Sequence, residues 1–159
     1  MTPAQQATLK AYILATPELA AFPQGSDGSY GIAELLNLLA SPAFIVWKTS
    51  VSVDEIMRNG MAWDRVDNLS VGKARIWDWL GRLGSFDASK INVRAGIDAA
   101  WVGTVADVAV RTAIYVHCKR PASVIEKVLA TGTGTDASPA TMGFDGTVSY
   151  QEIEAVRNS

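Results

Sequence analysis

The sequence holds one histidine and one cysteine in 159 residues, and they are neighbours, His117 and Cys118. A single cysteine excludes an internal disulfide and points to synthesis in a reducing cytoplasm. On a helix, adjacent side chains point about 100° apart, so His117 and Cys118 do not readily share a ligand or a proton. A lone histidine leaves no second imidazole for a Cys–His pair, and near a helix C-terminus the macrodipole favours it without any catalytic role. Clustered cations are also lacking. The densest basic group is Lys119-Arg120 and the net charge is −2, so sequence-specific nucleic-acid binding has little support. No apolar run reaches the length of a membrane span. The opening Met1-Thr2-Pro3-Ala4 lacks the basic start and apolar core of a signal peptide. Charged residues make up only 19%, which leaves neutral surface of the kind protein partners cover.

What the chain does have is apolar material, 48% of residues, and frequent helix punctuation. Thr2-Pro3-Ala4-Gln5 joins an N-cap hydroxyl, a proline at the first helical position and a glutamine placed to close a capping box. It predicts a helix to about Ala15, and Thr16-Pro17-Glu18 opens a short second one. Pro23 to Gly28 reads as a loop, and Ile32 to Leu39 as a largely buried helix ended by Ser41-Pro42. Phe44-Ile45-Val46-Trp47 reads as extended chain. Ser52-Val53-Asp54-Glu55 is a second capping box, whose helix Asn59-Gly60 closes.

A longer helix is expected from about Ser70 to Leu83. Its arc of Ile76, Trp79, Leu80 and Leu83 places Trp79 in the core and leaves Trp77 partly exposed. Further helices are expected from Asn92 to Trp101, from Thr104-Val105-Ala106-Asp107 to Lys119, and from Pro121 to near Ala130. The pairs Arg94/Asp98, Asp107/Arg111 and Asp78/Arg82 have the spacing of i,i+4 surface ion pairs. At Thr131 the composition turns small and polar, through Thr131-Gly132-Thr133-Gly134-Thr135 to Pro139. Asp145-Gly146 signals a hairpin between Met142 and Val148, and Ser149-Tyr150-Gln151-Glu152 caps a last short helix. The expected fold is mainly α: a helical, bundle-like body over 1–130 and an extended C-terminal arm over 131–159.

Asp145 to Glu152 matches the second half of an EF-hand loop, with acid, glycine, apolar position and glutamate in register. Thr141 and Gly143 stand where the first half needs carboxylates or amides, and a hairpin followed by a capped helix accounts for the same residues. The Gly/Thr run lacks the Gly-Lys-Ser/Thr ending of a phosphate-binding loop and follows a helix rather than a strand. The carboxylates are scattered. No catalytic residue, cofactor or metal ligand is therefore expected. Five tryptophans are a generous supply, and Trp and Tyr are residues that assembly interfaces use as anchors.

Met1 to Lys10, Val46 to Ser50 with Asp54 to Met57, Val66 to Trp77, Asn92 to Ile97 and, above all, Leu129 to Met142 resemble a group of small structural proteins encoded among the head and tail genes of tailed bacteriophages. Size, helical body and C-terminal arm are similar to those of head-to-tail adaptors, the neck or connector proteins beneath the portal. The resemblance implies a virion protein made in the bacterial host cytoplasm. It implies a ring, most often of twelve copies, that touches the portal protein on one side and tail proteins on the other. A tail, tail-completion or capsid-decorating role fits the same features, and a small regulatory or calcium-responsive binding module is the alternative of another class. The expected assembly interface comprises Trp77, Thr131, Gly132, Thr133, Gly134, Pro139, Met142, Phe144 and Val148.

Overall fold

The computed structural model describes residues 1–59 and 63–159. Hydroxyl caps set most helix starts. Thr2 Oγ1 accepts from the Gln5 N–H while the Gln5 side chain accepts from the Thr2 N–H, and α1 runs Pro3–Ala15, as the sequence predicts. α2 is Pro17–Ala20. α3, Ser26–Asn37, starts inside the segment expected to be a loop and stops before Leu38 and Leu39, which are exposed. β1 is Ile45–Trp47 and β2 is Val51–Ser52. Ser52 caps α4, Val53–Arg58, by accepting from the Glu55 N–H, and Asn59 is its C-cap. The second half of the expected stop signal, Gly60, lies outside the described residues.

A 3-10 helix, Trp63–Asn68, leads to α5, Val71–Arg82, capped by Ser70. β3 is Ser85–Phe86, α6 is Ile91–Ala100 and α7 is Val105–His117, the last opened by a full Thr104/Asp107 capping box. Pro121 does not begin a helix. It ends the strand β4, Lys119–Pro121, and α8 is Val124–Val128 behind its own Ser123/Glu126 box. α9 is Tyr150–Asn158. Among the described residues the fold is thus mainly helical, with two small two-stranded antiparallel sheets, β1 with β4 and β2 with β3.

The chain divides into two compact units, and the division does not follow the expected body and arm. Unit 1 takes both ends of the chain, Met1–Val46 with Pro121–Ser159, and unit 2 is Trp47–Arg120. In unit 1, α9 packs on α3 and α1. Val148, Ile153 and Val156 join Leu9, Ile13, Leu19, Ile32, Leu36 and Ile125 in one buried cluster. Burying each such side chain is worth ~1.5–3 kcal/mol, so the C-terminal segment is part of the core and not an extended arm. The expected hairpin is also absent, because no strand lies between Met142 and Val148. In its place the Asn37 side chain brackets Val148, donating to its carbonyl and accepting from its N–H, both at 2.9 Å.

Unit 2 is built around Val51, Ile56, Trp77, Phe86, Ile97, Trp101, Val110, Ile114 and Cys118. The indole rings of Trp77 and Trp101 meet edge to face. Trp47 packs edge to face on Tyr115 with its centroid 5.5 Å away, and the Arg94 guanidinium lies 4.7 Å above the Trp47 ring.

Candidate functional site

The residues expected to form an assembly surface fall into two groups. Trp77 is buried, and Trp79 is the exposed tryptophan of α5 at 66%, which reverses the sequence expectation. The leucine-rich arc looked the more apolar, but α5 turns the side bearing Trp77 and the half-buried Leu80 to the core of unit 2. Val148 and Gly134 are buried as well, and Phe144 and Met142 pack half-buried against cores of unit 1. Thr131, Gly132 and Thr133 are exposed, and Pro139 is half-buried.

Nor is the Gly/Thr run a loose connector. Gly134 has φ +66°, and a Cβ there would stand 2.1 Å from Cε2 of Phe44. Only glycine lets the backbone lie against that ring in a left-handed conformation. The Gly134 carbonyl accepts from the Ile45 N–H at 2.7 Å, Ala140 donates to the Ile45 carbonyl at 2.9 Å, and Thr131 and Thr141 exchange two backbone hydrogen bonds of 2.9 Å.

The half EF-hand is engaged elsewhere. Glu152 Oε2 accepts from Ser149 N–H at 2.9 Å and from Ser149 Oγ–H at 3.0 Å as the capping box of α9. The Gly146 N–H donates to Glu126, a buried carboxylate that also accepts from Ser123 N–H at 2.9 Å. No group of three or more His, Cys, Asp or Glu side chains that could hold a metal occurs among the described residues.

Two of the expected i,i+4 pairs are replaced by bonds between elements. Asp107 takes Arg65 at 2.8 Å rather than Arg111, and Arg111 faces Asp98 at 3.6 Å. Arg94 donates to the Ala88 and Ser89 carbonyls at 2.6 and 2.8 Å. Asp78–Arg82 forms as expected, at 2.8 Å. The Arg65 hydrogen bond, with a second from Thr104, holds the Asp107 carboxyl below the usual carboxylate range. Burial, and then the hydrogen bond to Asp98, pushes the Tyr115 phenol up.

His117 and Cys118 separate as their positions on the helix require. Cys118 is fully buried, and burial pushes its thiol up to about 12 against the smaller opposing effect of Lys48, so it is an inert core residue. His117 instead faces α4. Its Nδ1 lies 3.2 Å from Glu55 Oε1 and its Nε2 3.3 Å from the Asn59 carbonyl, while Lys48 Nζ is 3.7 Å from the same Glu55 oxygen. Sequence spacing gave no sign of this group, because 62 residues separate Glu55 from His117. The adjoining hollow is lined by Ile56, Asn59, Ala113, Ile114 and His117.

The most open apolar surface of α5 is Val71, Trp79 and the C-cap Leu83, at 73%, 66% and 67% exposure. Trp79 and Leu83 are one turn apart and share a face. No described helix is long and apolar enough to cross a membrane. No family model matches the chain, no curated protein matches it, and neither does any solved structure.

Proposed function

We propose that this chain is a structural virion protein of a tailed bacteriophage, a head-to-tail adaptor that forms a ring between portal and tail. The observation that carries the reading is the Trp79–Leu83 face of α5, an aromatic and an aliphatic side chain both about two-thirds exposed. Scattered surface hydrophobics are ordinary, but a tryptophan and a leucine one turn apart on an open helix face form an anchor of the kind interfaces use. The resemblance of Met1 to Lys10, Val66 to Trp77 and Leu129 to Met142 to proteins of the phage head and tail region supplies the class.

In this reading α5 of one copy meets a different surface of the next copy. A heterologous contact of that kind closes into a ring when its rotation closes. Portal protein and tail proteins occupy the two rims. Sedimentation velocity of the chain and of Trp79→Glu tests the contact. The wild type sediments as a closed oligomer, and Trp79→Glu as a monomer with an unchanged circular dichroism spectrum. A monomeric wild type, or a variant that assembles like it, contradicts the reading.

A further inference from the structure

His117 sits between two hydrogen-bond acceptors on one short helix. On one side is the Glu55 carboxylate, 3.2 Å from Nδ1. On the other is the Asn59 carbonyl, 3.3 Å from Nε2. A carbonyl oxygen only accepts, so the contact with Asn59 requires a proton on Nε2. An ionised carboxylate also only accepts, so the contact with Glu55 requires a proton on Nδ1. A neutral imidazole carries one proton and satisfies one of the two. In the neutral Nε2–H form the Nδ1 lone pair is aimed at carboxylate oxygen, and in the Nδ1–H form the Nε2 lone pair is aimed at carbonyl oxygen. Only the doubly protonated ring donates to both.

We infer that His117 is a protonation-dependent latch, which as imidazolium fastens the C-terminal end of α4 to the end of α7 and releases it on losing a proton. The charged and titratable groups around it agree with this. From α4 it faces Glu55, which is also the partner of Lys48 from the turn between β1 and β2. On its own helix the neighbour is the buried, neutral thiol of Cys118. Among the described residues, the hollow beside the ring is lined by the apolar side chains of Ile56, Ala113 and Ile114. The ring lies at the C-terminal end of α7, where the helix dipole favours a positive charge. α4 has only six residues and little stability of its own; Ile56 holds it to the core, and the two hydrogen bonds of His117 tie its C-terminal end to α7. The latch is independent of the assembly reading, since neither Trp79 nor Leu83 takes part.

The chain has a single histidine, so imidazole ¹⁵N signals report on His117 without ambiguity. The experiment follows those signals in the full-length protein together with amide exchange of Glu55 to Asn59, at pH 5.5 and pH 8, corrected for the intrinsic pH dependence of exchange. The latch predicts two protonated nitrogens at the lower pH and a loss of protection in α4 of about tenfold at the higher, the size of one charge-assisted hydrogen bond. Amides of α1 serve as the control and keep their protection. Glu55→Gln gives the discriminating result. The side-chain amide it introduces donates to the lone pair of neutral Nδ1 while Nε2–H still donates to Asn59, so protection becomes equal at the two pH values. His117→Gln, which cannot titrate, gives the same flat response and decides the matter if Glu55→Gln does not fold. Equal protection in the wild type at both pH values, or a variant that keeps the wild-type drop, overturns the latch.

Discussion

Trp77 meets Trp101 edge to face, with ring centroids 5.5 Å apart and planes inclined at 82°, and the pair forms the aromatic centre of unit 2. Trp77 is 7% exposed and Trp79, two residues on, 66%. The two therefore respond to substitution in opposite ways. Trp77→Ala is expected to cost ~3–5 kcal/mol by emptying a core site, and Trp79→Ala, at a concentration below that at which copies assemble, to stay within about 0.5 kcal/mol. Trp77→Phe is milder than Trp77→Ala, because the Trp77 indole N–H has no hydrogen-bond partner among the described residues to lose. Urea denaturation of the three variants measures all of this, and equal costs at the two positions would refute the orientation of α5.

Truncation after Ala130 is expected to abolish the cooperative unfolding of unit 1. It removes Val148, Ile153 and Val156 from a cluster that also contains Leu9, Ile32 and Leu36, and it deletes the backbone partner Ala140 from β1. Circular dichroism during thermal melting checks this. A truncated chain that melts like the whole one would mean that the C-terminal segment contributes nothing to the core.

Gly134→Ala tests whether the Gly/Thr run is a flexible connector. With φ at +66° and Phe44 in the way of a Cβ, the substitution must move the ring or the backbone. A loss of ~1–3 kcal/mol is expected, measured by chemical denaturation beside Gly146→Ala. Gly146 also has positive φ but open space around it, so the excess cost at Gly134 isolates the contact with Phe44.

Asp107 gives a pH dependence whose sign is fixed by its shift. Its carboxyl is held below the ordinary range by Arg65 and Thr104. The stabilisation is therefore present at neutral pH, above the unfolded value, and is lost as pH falls through the folded value. Unfolding free energies of the wild type and Asp107→Asn should differ at pH 7 and converge in acid. A difference that stays constant down to acid pH would rule out the Arg65–Asp107 pair as its source.

Local chemistry was readable in the sequence and long-range partnership was not. Thr2, Ser52, Thr104 and Ser149 each cap the helix their spacing announced, because a cap is settled within a turn of the chain. The face α5 buries depends on where Trp101 stands, far along the chain from Trp77, and apolarity along the helix pointed to the wrong side. The Gly/Thr run looked like a linker because it has no apolar periodicity. Its Gly134 answers instead to Phe44, far earlier in the chain. Asp98 and Asp107 had cations at i,i+4 spacing or its reverse, yet the fold gave them Arg111 and Arg65. Helix-surface pairs contribute only tenths of a kcal/mol, so better geometry elsewhere overrides them. His117 with Glu55 was hidden for the same reason.

Assembly into a closed ring is tested most directly by native mass spectrometry of the purified chain. One dominant oligomer of fixed copy number is predicted, twelve if the adaptor resemblance holds, and it disappears in Trp79→Glu. A monomer at every concentration, or an open-ended ladder of oligomers without a preferred size, would contradict it.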